Sequence, residues 1–202
     1  MDGLADALIS AAAPVGLNIA RTETERRALY RLRYRAALGR GWADVADLPD
    51  RLERDAYDDR ATHVGGWHDG SAVACARVLF PIPGAMLPVE EVFGLELKPH
   101  AQVAHFDRFC IAREYGDGRD RLLLALLAYC WLLIRRRGLV VSAGITSRAM
   151  LRIYQSLGLN VVQLAPPRRY WGEQRVPILF NGRDPGSLAG VRRALETAKV
   201  TS

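Results

Sequence analysis

Lysine is almost missing from this chain: only Lys98 and Lys199 occur, so nearly all of the 28 basic residues are arginine. No basic stripe interleaved with aromatics and no nucleic-acid-binding motif accompanies them, which leaves nucleic acid out of the expected partners. Cysteine is scarce too. Cys75, Cys110 and Cys130 stand singly in apolar stretches, an odd set without C-x-x-C spacing, which argues against a disulfide framework and against a zinc site. No other His, Cys or carboxylate spacing points to a metal, so none is expected. The longest apolar run, residues 122–134, falls short of the roughly 18–20 residues a membrane span needs, and reads as a buried helix. The N-terminus begins Met1-Asp2-Gly3-Leu4-Ala5-Asp6, acidic where a signal peptide is basic. A cytoplasmic protein with free thiols is the expectation. Internal repeats and low-complexity tracts are lacking.

What is present fits one globular domain. The 202 residues are 50% hydrophobic and 25% charged, with charges mixed among apolar runs. The net charge of +6 conceals a split: residues 1–101 carry 12 basic and 15 acidic side chains, residues 102–202 carry 16 and 7. Arginine favours planar, bidentate recognition of carboxylate or phosphate. The basic half is therefore either a solvated face or a surface for an acidic partner.

Hydrophobic periodicity gives the order of elements. Residues 23–38 read as an amphipathic helix, and the acidic stretch 44–59 as a long loop of the kind that is usually functional or disordered. Strands at 62–67 and 71–79 flank His68-Asp69-Gly70, a hairpin signal. A strand at 103–112 precedes a helix at 119–137 that ends in Arg135-Arg136-Arg137-Gly138, with cations at its C-terminus and glycine as its stop. A strand at 139–145, a helix at 147–157 capped by Ser147 and strands at 160–164 and 176–180 complete the order. This is an α/β protein with a mixed central sheet flanked by helices. Residues 1–20 read as an N-terminal segment free to be flexible, and 21–202 as a single domain.

Between the strand and the long helix lies Arg113-Glu114-Tyr115-Gly116-Asp117-Gly118. Two glycines one residue apart let backbone approach a ligand closely, and the following helix turns its free N–H groups and positive dipole end outward. The third glycine of a dinucleotide fingerprint is missing, as is any G-K-[ST]. In this setting R-x-x-G-x-G resembles the acyl-CoA pyrophosphate loop of the GNAT superfamily of N-acyltransferases. Further on, Ser147-Arg148-Ala149-Met150-Leu151-Arg152-Ile153-Tyr154-Gln155-Ser156-Leu157-Gly158 is similar to that superfamily's second signature. The resemblance implies a GNAT-like fold, and Tyr154 as proton donor to the leaving thiolate. A core tyrosine with a satisfied hydroxyl is the competing reading.

The N-terminal half narrows the resemblance. Leu32-Arg33-Tyr34-Arg35, Gly41-Trp42, Glu53-Arg54-Asp55-Ala56-Tyr57-Asp58, Ala76-Arg77-Val78-Leu79 and His105-Phe106-Asp107-Arg108-Phe109 follow in order. The series resembles the acyl-homoserine-lactone (autoinducer) synthases of quorum sensing and their relatives, the long-chain N-acyl amino acid synthases. The resemblance implies a site for S-adenosylmethionine or an amino acid built from Arg33, Trp42, Asp55, Asp58, Arg77 and Arg108. The chemistry asks for such residues in any case. An amino-acid acceptor presents a carboxylate and an amine, which call for a bidentate arginine and an acidic group. The same residues also make sense as a structural ion-pair cluster, and Trp42 as a loop anchor.

Two departures from the family pattern stand out. His105 replaces the family's glutamate base, with Asp107 in place of its serine. Alternation along a strand puts His105 and Asp107 on one face and Arg108 on the other. A neutral imidazole is a competent base for an ammonium, directly or through water; a core histidine is the competing reading. Ala37 stands where the family has a bulky aromatic, which bears on whether S-adenosylmethionine is the acceptor.

The expected activity is transfer of an acyl chain from acyl-CoA or acyl-acyl carrier protein to the α-amine of an amino-acid-like acceptor, with no permanently bound cofactor. Its catalytic residues are His105, Arg108 and Tyr154. The acyl donor lies along Phe109, Cys110, Ile111, Arg113, Gly116 and Gly118, and residues 140–143 line an acyl tunnel. Two rival readings remain: an acetyl-CoA-dependent acetyltransferase, and a catalytically silent domain that binds acyl thioesters.

Overall fold

A computed structural model describes residues 2–156, 158–184 and 186. They divide into two compact units, one running to Phe80 and resuming over Phe106–Arg137, the other comprising Pro81–His105 and the described residues from Gly138 onward.

The first unit opens with helix α1 (Asp2–Ser10) and strand β1 (Gly16–Ile19), followed by helix α2 (Glu23–Gly39). The N-terminus of α2 is held by a capping box: Thr22 Oγ1 accepts from the Glu25 N–H at 3.2 Å, and the Glu25 carboxylate accepts from the Thr22 N–H at 2.8 Å. Its inward face carries Leu29, Tyr30, Leu32, Arg33 and Ala37. The acidic stretch after it is a chain of short 3₁₀ turns, Val45–Asp47, Pro49–Arg51 and Asp58–Arg60. Strands β2 (Thr62–His68) and β3 (Ser71–Leu79) form the expected antiparallel hairpin. Asp69 and Gly70 at its turn both have positive φ, 48° and 73°, as a two-residue turn matching strand twist requires.

The first 20 residues carry more structure than their composition advertised. β1 pairs antiparallel with β2, from Gly16 opposite Trp67 to Ile19 opposite Val64. The Trp67 indole folds over Gly65, where a Cβ would lie 2.5 Å from Nε1, and donates to Asn18 Oδ1 at 2.8 Å. Helix α1 packs on α4, the long helix described next.

In the second unit, helix α3 (Pro88–Phe93) leads to strand β4 (Val103–Ile111), which enters the first unit at Phe106 and lies beside β3 there. After the 3₁₀ run Arg113–Gly118 comes α4 (Arg119–Arg136). Leu122, Leu123, Ala125, Leu126, Cys130, Trp131, Leu133 and Ile134 are all buried, the apolar stretch read as a core helix. No helix among the described residues is long and apolar enough to cross a membrane. The second unit continues with β5 (Val141–Ser147), α5 (Arg148–Ser156), β6 (Val161–Gln163), β7 (Arg168–Tyr170) and β8 (Glu173–Asn181). β8 is central: β5, β6 and β7 all pair with it antiparallel. Ser147 caps α5 as expected, its Oγ accepting from the Met150 N–H at 3.1 Å, while Leu157 lies outside the described residues. α1, β1, α3 and β7, each ten residues or shorter, were not anticipated.

Candidate active site

The first unit buries a closed ring of charges. Arg33 projects from the inward face of α2; Glu53, Asp55 and Asp58 come from the turns that follow it; Arg77 comes from β3 and Arg108 from β4. Arg77 Nη1 meets Asp55 Oδ1 at 2.5 Å, and the other Asp55 oxygen accepts from Arg108 Nη2 at 2.8 Å. Arg108 Nε donates to Glu53 at 3.0 Å, and the second Glu53 oxygen accepts from Arg33 Nε. Arg33 forks onto Asp58 at 2.8 and 2.9 Å, and Asp58 returns to Arg77 Nη1 at 3.0 Å. Three guanidiniums and three carboxylates thus alternate around the ring. Asp107 adds a fourth carboxyl group, gripping Arg77 through both oxygens at 2.7 and 2.6 Å.

Every member except Asp55 and Arg108 is shut away from solvent; the side chains of those two are 26% and 13% exposed. Ions this deep cost desolvation energy unless each is paired and hydrogen-bonded, and here each is. Burial pushes the Asp58 carboxyl up, but the hydrogen bonds and charges of Arg33 and Arg77 outweigh it and hold the group at about 2. Burial opposes the charge on Arg33, Arg77 and Arg108 as well, and neighbouring carboxylates reverse that, leaving all three cationic at any relevant pH. His63, behind Asp58, lies 3.0 Å from its carbonyl oxygen and 3.2 Å from the Tyr30 hydroxyl. Desolvation favours its neutral form.

This geometry corrects the strand reading. Alternation placed Arg108 on the opposite face from Asp107, yet both enter the same cluster. Arg108 has φ of 56°, so the strand kinks at that residue and turns its side chain round to its neighbour's face. Such a conformation is strained for a residue with a Cβ and persists only where surroundings impose it. Here the imposing contacts are Glu53 and Asp55. The resemblance assigns Glu53 no role. An acid at 2% exposure beside the buried Leu52 is the missed member, and its signal was an acidic side chain next to an apolar one in a solvated loop.

The other candidates fall in several places. Trp42 follows Gly41 (φ 65°), its backbone N–H donates to Ala37 O at 2.9 Å, and its ring lies beneath the Arg40 guanidinium. His105 is fully enclosed, at 0% exposure, two residues before Asp107 on β4. Phe109, Cys110 and Ile111 are half-buried, with Arg113 and Gly116 exposed just after them. Tyr154 belongs to the second unit and is buried in α5. A polar groove of about 280 Å³, lined by Glu23, Arg26, Tyr30, Arg54, Asp58 and Asp59 among others, opens behind the ring. Among the described residues no group of His, Cys, Asp and Glu is arranged to hold a metal ion.

No protein-family model matches the chain, and no curated protein matches it. Its fold is GNAT-like, of the kind shared by acyl-homoserine-lactone synthases and N-acyl amino acid synthases. Among similar structures is TofI, in a ternary complex with an inhibitor and MTA: 24% identity over 87% of this chain and 96% of that one, TM-score 0.68. Another is FeeM, an N-acyl amino acid synthase from uncultured soil microbes, at 12% identity, 88% and 97% coverage and TM-score 0.70. A third is the CoA-dependent acyl-homoserine lactone synthase BjaI with SAM and isopentyl-CoA, at 19% identity, 83% and 80% coverage and TM-score 0.66.

Proposed function

We propose that the chain is an N-acyltransferase that moves an acyl group from acyl-CoA or acyl-acyl carrier protein to the α-amine of S-adenosylmethionine or a free amino acid. The observation that supports this most is the buried ring on a GNAT-like fold. Its carboxyl groups outnumber its guanidiniums by one, and the members that reach solvent are Asp55 and Arg108. A cluster with surplus acid favours a cationic amine. BjaI is described with SAM and isopentyl-CoA, and FeeM as an N-acyl amino acid synthase; both acceptor classes carry an α-ammonium.

In the proposed reaction His105 takes the ammonium proton, directly or through water. The amine nitrogen then attacks the thioester carbonyl carbon. Backbone N–H groups near Phe109, Cys110 and Ile111 stabilise the oxyanion. The carbon–sulfur bond breaks, Tyr154 protonates the departing thiolate, and the second amine proton, shed as the amide forms, returns through water to the Tyr154 oxygen. Arg113, Gly116 and Gly118 hold the donor's phosphates at the head of α4. Arg33, Asp58 and Arg77 hold the 53–58 segment on β3 and β4, and Asp55 and Trp42 face the acceptor. The proposed compartment is the cytoplasm, where acyl thioesters are made.

A thiol-release assay tests this reading: purified protein is mixed with acyl-CoA or acyl-acyl carrier protein and either S-adenosylmethionine or pooled amino acids. Acceptor-dependent release of free thiol is expected. Acetyl transfer to simple amines without long-chain transfer, or thioester binding without any release, would overturn it.

A further inference from the structure

The turn Arg113–Gly118 has a built-in weakness. Two of its six residues are glycines, and flexible backbone binds poorly because its freedom is lost on binding. Its run of 3₁₀ geometry also breaks at Tyr115, whose φ of −98° and ψ of 27° fall in the bridge region. Ala112 N–H to Val73 O at 2.8 Å anchors its start, and Tyr115 N–H to Ala112 O at 3.1 Å closes its first step.

A side-chain contact meets the turn at that break. The Tyr115 hydroxyl hydrogen-bonds His68 Nδ1, and the two rings meet edge to face, with centroids 5.8 Å apart and planes at 82°. His68 is the last residue of β2, set by the left-handed pair Asp69 and Gly70 at the hairpin turn. Its other ring nitrogen, Nε2, lies 3.7 Å from Asp69 Oδ2, an exposed carboxylate that adds little. The hairpin tip thus holds the middle of the turn, and all of these residues belong to the first unit.

We propose that His68 is a positioning residue for the acyl donor: by gripping Tyr115 it fixes the glycine-bearing turn whose backbone N–H groups receive the donor's phosphates. This rests on the reading of Arg113–Gly118 as the donor site. His68 touches no reacting atom. It acts through Tyr115, lowering the cost of ordering the turn when the donor binds.

Calorimetric titration of the full-length protein with free CoA tests the proposal. His68→Ala and Tyr115→Phe should each weaken CoA binding roughly three- to tenfold, the worth of one hydrogen bond. The double variant should lose no more than either single one, because both remove the same contact. His68→Asn, which places an amide near the lost Nδ1, should restore affinity. The KM for the donor should rise in step with the CoA dissociation constant, and the melting temperature should stay at the level of the unaltered protein. Unchanged CoA affinity in both single variants would overturn the proposal, as would a loss that only tracks a fall in melting temperature. Should His68→Ala fail to fold, Tyr115→Phe and His68→Asn decide alone. An unaltered protein that binds no CoA would fail differently, overturning the donor site itself along with the latch built on it.

Discussion

The ring of charges and the glycine turn, the proposed acceptor and donor sites, are built in opposite ways. The ring is closed and buried, and each carboxylate in it has two cationic partners: Asp58 binds Arg33 and Arg77, Asp55 binds Arg77 and Arg108, Glu53 binds Arg108 and Arg33. The turn is glycine-bearing and exposed at Arg113, Glu114 and Gly116, and Tyr115 in its middle is held by His68. Removing one member of the ring leaves charges uncompensated in a dry site. Altering the turn leaves the core untouched. On the proposed reading, an acceptor side is prepared during folding and a donor side is completed on binding.

The largest break in this contrast lies in the ring. Asp58→Ala strips the Arg33 fork and one Arg77 contact, and should lower folding stability by about 3–5 kcal/mol in a denaturant titration. A loss under about 1 kcal/mol would mean that the ring does not hold the 53–58 segment. The same bonds predict an acid limit. The folded-state value of Asp58 lies below its ordinary 3.8, so its contribution is full above that value and disappears as pH falls toward about 2. The midpoint of unfolding in denaturant should drop over that window, and more steeply than in Asp58→Asn. Next comes His105→Ala, which should lower turnover by ~10²–10⁴ while leaving CoA binding intact, if the enclosed imidazole is the base. Unchanged turnover would make His105 a core residue. The smallest effect on stability belongs to Gly118→Val: calorimetry should show CoA binding lost to steric block, with stability within about 0.5 kcal/mol of the unaltered protein. Retained CoA binding would mean that the turn is only a turn.

Local chemistry made much of the fold legible. The hairpin followed from Asp69-Gly70 between two strand-like runs, the burial of α4 from its apolar run, and the start of α5 from Ser147. Short elements carried too little pattern: β1 has four residues, and β7 turns back through Trp171, whose left-handed φ of 51° is unusual for a bulky side chain. The site was legible as a set of residue types and not as a shape. Arg33, Asp55, Asp58 and Arg77 could be named from the family resemblance, and the cluster they form agrees with the ion-pair reading. That Glu53 closes the ring depends on where the 44–60 stretch lies against the sheet. The kink at Arg108 is imposed by partners more than 50 residues away in the chain, and nothing in an arginine advertises a left-handed backbone. No such tertiary demand can be read from period or propensity.

Product identification by mass spectrometry tests the central claim most directly. Purified protein is incubated with a long-chain acyl thioester and with S-adenosylmethionine or mixed amino acids. The account predicts a product in which the acyl chain is joined through an amide to the acceptor's α-nitrogen, formed in step with free thiol. Thioester consumed without an amide product, or a product acylated elsewhere than on an α-amine, would contradict it.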